Sequence, residues 1–99
     1  MKVFLIQQKQ LEELSSKERI KSVSIQRVDT KKWIPLFEVY MQGETTEYVS
    51  LRVQSQEEVR SWADLRLLAE WLKTKFGVER CTLLLNEMGK TNGAQDGKT

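Results

Sequence analysis

The side chains that most often carry out catalysis are almost absent from this chain. It contains no histidine, which removes the commonest general base and the commonest metal ligand together. It contains a single cysteine, Cys81, which excludes an internal disulfide and a structural zinc site. No serine therefore has a histidine partner, and no glycine-rich loop precedes a predicted helix to hold a phosphate. These absences predict a non-enzymatic protein without a cofactor or a metal.

Two short features remain as candidates for chemistry. Cys81 lies beside leucines in a predicted strand, so we expect a small buried hydrophobic residue rather than a reactive thiol. The segment Gly89-Lys90-Thr91 is similar to the end of a P-loop, but it lacks the first glycine and the following helix. Neither feature predicts a catalytic site.

Length and composition indicate one small domain of modest charge. The 99 residues suffice for a single core, and 16 basic against 14 acidic residues give a net charge of +2. A nucleic-acid binder with so small an excess must cluster its basic residues in the fold. No apolar run approaches the roughly 20 residues of a membrane span, and the apolar start is too short for a signal peptide. We therefore expect a cytoplasmic protein with no membrane partner.

The stretch 61–77 predicts the principal helix. Ser61 and Asp64 have the spacing of a capping box, and Gly77 can adopt the left-handed conformation that ends a helix. One face carries apolar residues at helical spacing: Leu65, Leu68, Ala69, Leu72 and Phe76. Leu67 and Trp71 widen that face. They are expected either to pack on the N-terminal segment or to form a self-association patch.

The rest of the chain reads mainly as strands. Residues 3–6 form a short apolar run, and residues 7–14 favour one or two helical turns, with a single helix through residue 21 as the alternative. Alternating segments follow: 20–28, 33–41 and 48–54, joined by polar connections at 29–32 and 42–45. Residues 59–62 predict a short strand, or else the first turn of a helix capped by Ser55.

These elements predict an α+β domain over residues 1–85. An antiparallel sheet of three to five strands would pack on one long C-terminal helix, with a short N-terminal strand and helix. Residues 78–85 supply the last strand. Residues 86–99 contain three glycines and no aromatic residue, so we expect a disordered tail. Pro35 cannot donate to a ladder, so it should lie near a strand start or on an unpaired side.

The sheet face away from the helix is the best candidate for a binding surface. Both faces of strand 33–41 are apolar, and the sequence does not decide which one is inward. Aromatic side chains interleaved with arginines can stack bases and contact phosphates. The residues that fit this role are Arg27, Lys31, Lys32, Tyr48, Arg52 and Arg60. A second element of the chain, or a second subunit, could cover the same face instead.

One set of core and turn residues resembles a pattern in short uncharacterised proteins of bacterial plasmids and integrative elements. The set spans residues 20–85 and consists of Trp33-x-Pro35-Leu36, Leu51, Gln54, Val59-Arg60-x-Trp62-x-x-Leu65, Ala69-x-x-Leu72 and Gly77-Val78. The resemblance implies a mobile-element context, in which small DNA-associated accessory proteins are common, and it transfers no catalytic residue. We therefore expect binding to DNA, with RNA as the weaker alternative. A homodimeric protein-interaction module without nucleic-acid contact is the second hypothesis.

Overall fold

A computed structural model describes residues 2–53 and 58–87 of the chain. Five strands and two helices follow one another in the order β1 (Val3–Ile6), α1 (Gln8–Ser16), β2 (Ile20–Asp29), β3 (Lys32–Tyr40), β4 (Thr46–Leu51), α2 (Leu65–Phe76) and β5 (Thr82–Leu84). The predicted α+β class is confirmed. The Ser55 cap of the alternative helix, the segment Gly89-Lys90-Thr91 and the predicted tail from residue 88 onward lie outside the described residues.

The sheet is mixed, so the predicted antiparallel sheet is wrong. Its strand order is β1-β4-β3-β2-β5. The two central pairings, β2 with β3 and β3 with β4, are antiparallel, whereas the outer pairings of β1 with β4 and of β2 with β5 are parallel. Antiparallel neighbours can be joined by hairpins, which have sequence signals. Parallel partners are distant in the chain and have none.

Helix α2 is shorter than the predicted stretch 61–77, and Ser61 is not its N-cap. The helix begins at Leu65 because Trp62 exchanges two backbone hydrogen bonds of 2.8 Å with Trp33, which keeps this segment extended. Asp64 is the cap instead, and its Oδ1 accepts a hydrogen bond from the Arg66 backbone N–H at 2.9 Å. The predicted C-terminus is confirmed, since Gly77 has a φ of 67°.

The core lies between the helices and one face of the sheet, which we call the helix face. Leu68 and Leu72 of α2 and Leu11 of α1 are fully buried against it. The sheet contributes Ile25, Phe37, Val39, Val49 and Leu51. Burying a leucine side chain of this kind stabilises the fold by roughly 1.5–3 kcal/mol. The helix therefore packs on the sheet through the apolar face that its spacing predicts.

The opposite side of the sheet, the second face, is closed at its centre. Ile34 and Leu36 of β3 are only 2% and 1% exposed, and the nearby Ser50 is fully buried. The first half of β3 is thus buried on both faces, whereas Glu38 and Tyr40, farther along the second face, are partly exposed.

Pro35 occupies a gap in the pairing of the central strand. It lies between Trp33, which pairs with Trp62, and Phe37, which pairs with Val49 of β4. Backbone N–H groups alternate between the two sides of a strand, so the N–H that Pro35 lacks would face the same side as those of Trp33 and Phe37. The described pairings on that side skip Pro35, so its missing donor breaks no hydrogen bond of the sheet. The Ser50 hydroxyl donates to the Pro35 carbonyl, which gives this buried acceptor a partner.

Three further expectations are tested by the described residues. Helix α1 ends at Ser16, with Glu18 at a φ of 57° just beyond it, so the alternative of one helix through residue 21 is excluded. Cys81 is exposed, so the prediction of a buried residue is wrong: it precedes the three-residue edge strand β5. Neither helix combines the length and the apolar character needed to cross a membrane.

Candidate nucleic-acid interface

The structure brings five of the six predicted nucleic-acid contacts to one end of the sheet. At this end β2 stops, β3 starts and β4 stops, because β3 runs antiparallel to both neighbours. Arg27 lies near the end of β2, opposite Trp33, and Arg52 follows β4. Lys31 is in the connection between β2 and β3, and Lys32 is the first residue of β3. Arg60 joins them because its backbone N–H donates to the Leu51 carbonyl at 2.7 Å.

The sixth predicted residue, Tyr48, lies elsewhere. It is opposite Glu38 on the second face and is only partly exposed. Ser22 and Thr46 donate hydrogen bonds to the Glu38 carboxylate, at 3.0 and 2.8 Å, and Lys21 lies 3.7 Å from it. The hydroxyl of Thr46 first, then that of Ser22 and the Lys21 ammonium, holds the pKa of Glu38 below its ordinary value. Tyr48 is therefore opposite a negatively charged side chain and is not among the five predicted residues at the end of the sheet.

Arg60 is the most firmly positioned of the basic side chains. Its guanidinium carbon lies 4.5 Å from the ring centroid of Trp62 and 5.4 Å from that of Trp71. The two rings are tilted against each other with centroids 5.0 Å apart. Flat aromatic surfaces on which a guanidinium can stack hold it in place while leaving its N–H groups free to donate.

A chain of polar contacts fixes Arg60 from a second direction. Its Nη1 donates to Gln8 Oε1 at 3.1 Å, and Gln8 Nε2 donates to Glu12 Oε2 at 2.9 Å. Glu12 is in turn 3.5 Å from the Lys75 ammonium at the end of α2. The bond from Gln8 to Glu12 sets the orientation of the Gln8 amide, so that its oxygen faces Arg60.

A cavity of about 440 Å³ opens between the start of α1 and the end of β4. Its described lining residues are Gln7, Gln8, Lys9, Arg52, Val53 and Arg60. Three of these are cationic and none is acidic. The backbone N–H groups of Gln8 and Lys9 in the first turn of α1 have no acceptor within the helix, which adds positive potential at this point. The described lining residues thus contribute only positive charge to the cavity.

The basic side chains differ in how far carboxylates already neutralise them. Arg27 lies 3.9 Å from Glu87, and it also stacks at 5.7 Å over Trp33. Among residues 2–53 and 58–87, no carboxylate is within ion-pair distance of Arg52 or Arg60. We call Lys9, Arg27, Lys31, Lys32, Arg52 and Arg60 the basic end. Lys9, Arg52 and Arg60 are the three members that line the cavity, and no described carboxylate forms an ion pair with any of them.

Sequence reasoning missed Lys9 and Gln8. Both belong to a short polar helix to which the sequence assigned no binding role, and the contact from Gln8 to Arg60 joins residues 52 positions apart. The one available signal was position: the first turn of a helix that directly follows a strand lies at a strand end. That signal becomes useful only once Arg52 and Arg60 are known to lie at the same end.

The predicted oligomer contacts, Leu67 and Trp71, lie in different surroundings. Leu67 is 62% exposed on α2. Trp71 is partly buried, and its ring packs on Trp62 and, at 5.3 Å, on Phe76. Trp71 therefore takes part in internal packing, and Leu67 remains open to a partner.

Comparisons of the chain with family models, with curated proteins and with solved structures give no match. Within the described ranges, no group of three or more Cys, Asp or Glu side chains is arranged to hold a metal ion. A functional assignment therefore has to come from the basic end itself.

Proposed function

We propose that this protein is a small, non-enzymatic nucleic-acid-binding accessory protein that contacts phosphates through its basic end. The observation that carries the proposal is the convergence of Arg52, Arg60 and Lys9 on one cavity, at the same end of the sheet as the hairpin lysines Lys31 and Lys32. A net charge of +2 gives no general attraction to polyanions, so the local clustering is what supports it. The mobile-element context rests on the sequence resemblance alone.

The geometry favours phosphate contacts over base stacking on the sheet. Ile34 and Leu36, at the centre of the second face, are buried and present no surface to a base. Trp62 and Trp71 already stack with Arg60. Contacts made mainly to phosphates fix position without reading sequence. We therefore expect binding with little sequence preference. Binding should be strongest when the nucleic-acid strand runs from Lys31 and Lys32 to the cavity.

The test is the salt dependence of binding to short labelled DNA and RNA strands, measured by fluorescence anisotropy. Arg27 is offset by Glu87, so the other five residues of the basic end set an upper limit on phosphate contacts. At about −0.7 per contact, the slope of log K against log salt should approach roughly −3.5 for single strands, and a fourfold rise in salt should weaken binding about a hundredfold.

A charge-neutralised variant locates the contacts. Replacing Lys31, Lys32 and Arg52 together by glutamine should reduce the slope by roughly 2. Lys17→Gln, which removes one exposed charge at the far end of α1, is the matched control and should leave the slope unchanged. Absence of binding to either nucleic acid at about 50 mM salt would refute the proposal, since phosphate contacts are strongest there.

A second candidate function is a homodimeric protein-interaction module, and the exposed Leu67 favours it. Leu83 and Leu85, in and beyond the edge strand β5, are also 44% and 58% exposed. A dimer that uses Leu67 should be weakened by Leu67→Glu, because the substitution places a charge in the buried contact. Light scattering that gives the monomer mass over about a hundredfold dilution range would count against this candidate.

A further inference from the structure

We infer that the cavity lined by Lys9, Arg52 and Arg60 binds a phosphate monoester, the terminal phosphate of a nucleic-acid strand. The inference rests on the proposed function and deepens it, since it assigns the cavity to a strand end and the hairpin lysines to the strand that continues from it.

The charge of the cavity matches a monoester better than a backbone diester. A phosphate monoester carries about −1.5 to −2 at pH 7 and has three terminal oxygens, whereas a backbone diester carries a single charge. The cavity offers three cationic side chains, and none of its described lining residues is acidic. A dianion can engage several of these cations at once, while a monoanion leaves part of the positive charge unused.

One donor is held in place before a ligand arrives, and a second has no carboxylate partner to leave. Arg60 is fixed by the rings of Trp62 and Trp71 and by Gln8, so little side-chain entropy is lost when it binds an oxygen. Arg52 makes no side-chain hydrogen bond or ion pair with the described part of the chain. Its guanidinium therefore does not have to leave a carboxylate partner in order to bind.

The size of the cavity admits a terminal nucleotide. A volume of about 440 Å³ is at the lower part of the range for small-molecule pockets and is comparable with one nucleotide. Lys31 and Lys32 are at the same end of the sheet but do not line the cavity. A strand whose terminal phosphate occupies the cavity can therefore pass its next phosphates along the hairpin.

The test compares one oligonucleotide in three forms: with a 5′-phosphate, with a 3′-phosphate and with hydroxyls at both ends. The 99-residue chain should bind one phosphorylated form about tenfold more tightly than the hydroxyl form, the effect of one added charge-assisted contact. Arg52→Gln and Lys9→Gln should each reduce this preference to about twofold or less, whereas Lys17→Gln should retain it. Unchanged tryptophan fluorescence confirms that each variant is folded.

The outcomes separate this inference from the proposed function. Equal affinity for all three forms overturns the terminal-phosphate site and leaves nucleic-acid binding standing. A phosphate preference that survives both Arg52→Gln and Lys9→Gln also overturns it, because the preference then arises elsewhere. Binding of inorganic phosphate or a nucleoside monophosphate, lost in Arg52→Gln, without affinity for any oligonucleotide would overturn both the proposed function and the assignment to a strand end, and would leave only a monoester site in the cavity.

Discussion

Replacing Arg60 by alanine should destabilise the domain as well as weaken binding. The Arg60 guanidinium contacts two indole rings, at 4.5 and 5.4 Å, and each contact at a partly exposed site contributes about 0.5–1 kcal/mol. Its hydrogen bond to Gln8 contributes roughly 1 kcal/mol more. We therefore expect the free energy of unfolding to fall by about 2–3 kcal/mol. For a domain of 99 residues this lowers the melting temperature by about 10 °C.

Urea denaturation followed by tryptophan fluorescence measures this effect directly, because Trp62 and Trp71 form the stack. Arg52→Ala is the control: the Arg52 side chain makes no hydrogen bond or ion pair with the described residues, so its loss should change stability by less than about 0.5 kcal/mol. Arg60→Lys should fall between the two, since lysine keeps a charge but not the planar stack. An Arg60→Ala variant as stable as Arg52→Ala would refute the positioning role given to the rings and to Gln8.

Three further predictions follow from named contacts. Ser50→Ala should lower the free energy of unfolding by about 1–3 kcal/mol in urea denaturation, because the buried Pro35 carbonyl loses its donor; an unchanged midpoint would show that this bond contributes nothing. The pKa of Glu38 is lowered in the fold, so its ionised carboxylate stabilises the protein at pH values above the ordinary pKa of 4.5, and this contribution is lost as the pH falls through the lowered pKa. Glu38→Gln should therefore make the loss of stability at acid pH shallower. Identical profiles of stability against pH would contradict this. Gln8→Leu should weaken oligonucleotide binding several-fold without changing the salt slope, since it frees Arg60 to move but removes no charge, and a reduced slope would argue against that reading.

Local patterns in the sequence predicted the centre of the fold. The alternation of apolar residues located β2, β3 and β4, and the helical spacing of Leu68 and Leu72 identified the face of α2 that is buried. Gly77 marked the end of that helix. In each case the residues that form the signal are within one element or one turn, so no knowledge of the tertiary structure was needed.

Features that depend on distant pairing were not predicted. The parallel partners of β1 and β5 are far away in the chain, and the pairing of Trp62 with Trp33 overrode the capping signal of Ser61. Cys81 was expected to be buried because leucines surround it in the sequence. It is exposed because it lies just outside the edge strand β5, which has only three residues and begins at Thr82.

The candidate site shows the same division. The basic residues could be named individually from the sequence, but their convergence follows from the antiparallel register of β2, β3 and β4 and from the return of residues 58–62 to the end of β4. The expected aromatic surface around Tyr48 depended on an open second face. Ile34 and Leu36 are buried at the centre of that face, so the strand ends are the better candidate for a binding surface.

The most direct test of the central claim is a titration of the ¹⁵N-labelled protein with a short single-stranded oligonucleotide, followed by amide chemical shifts. Binding through the basic end predicts that the largest changes occur at Lys9, Lys31, Lys32, Arg52 and Arg60, and that they shrink as salt is raised. Changes centred on Tyr48 and Glu38, or on the 42–45 turn at the opposite end of the sheet, would contradict the account, as would a spectrum that does not change at low salt.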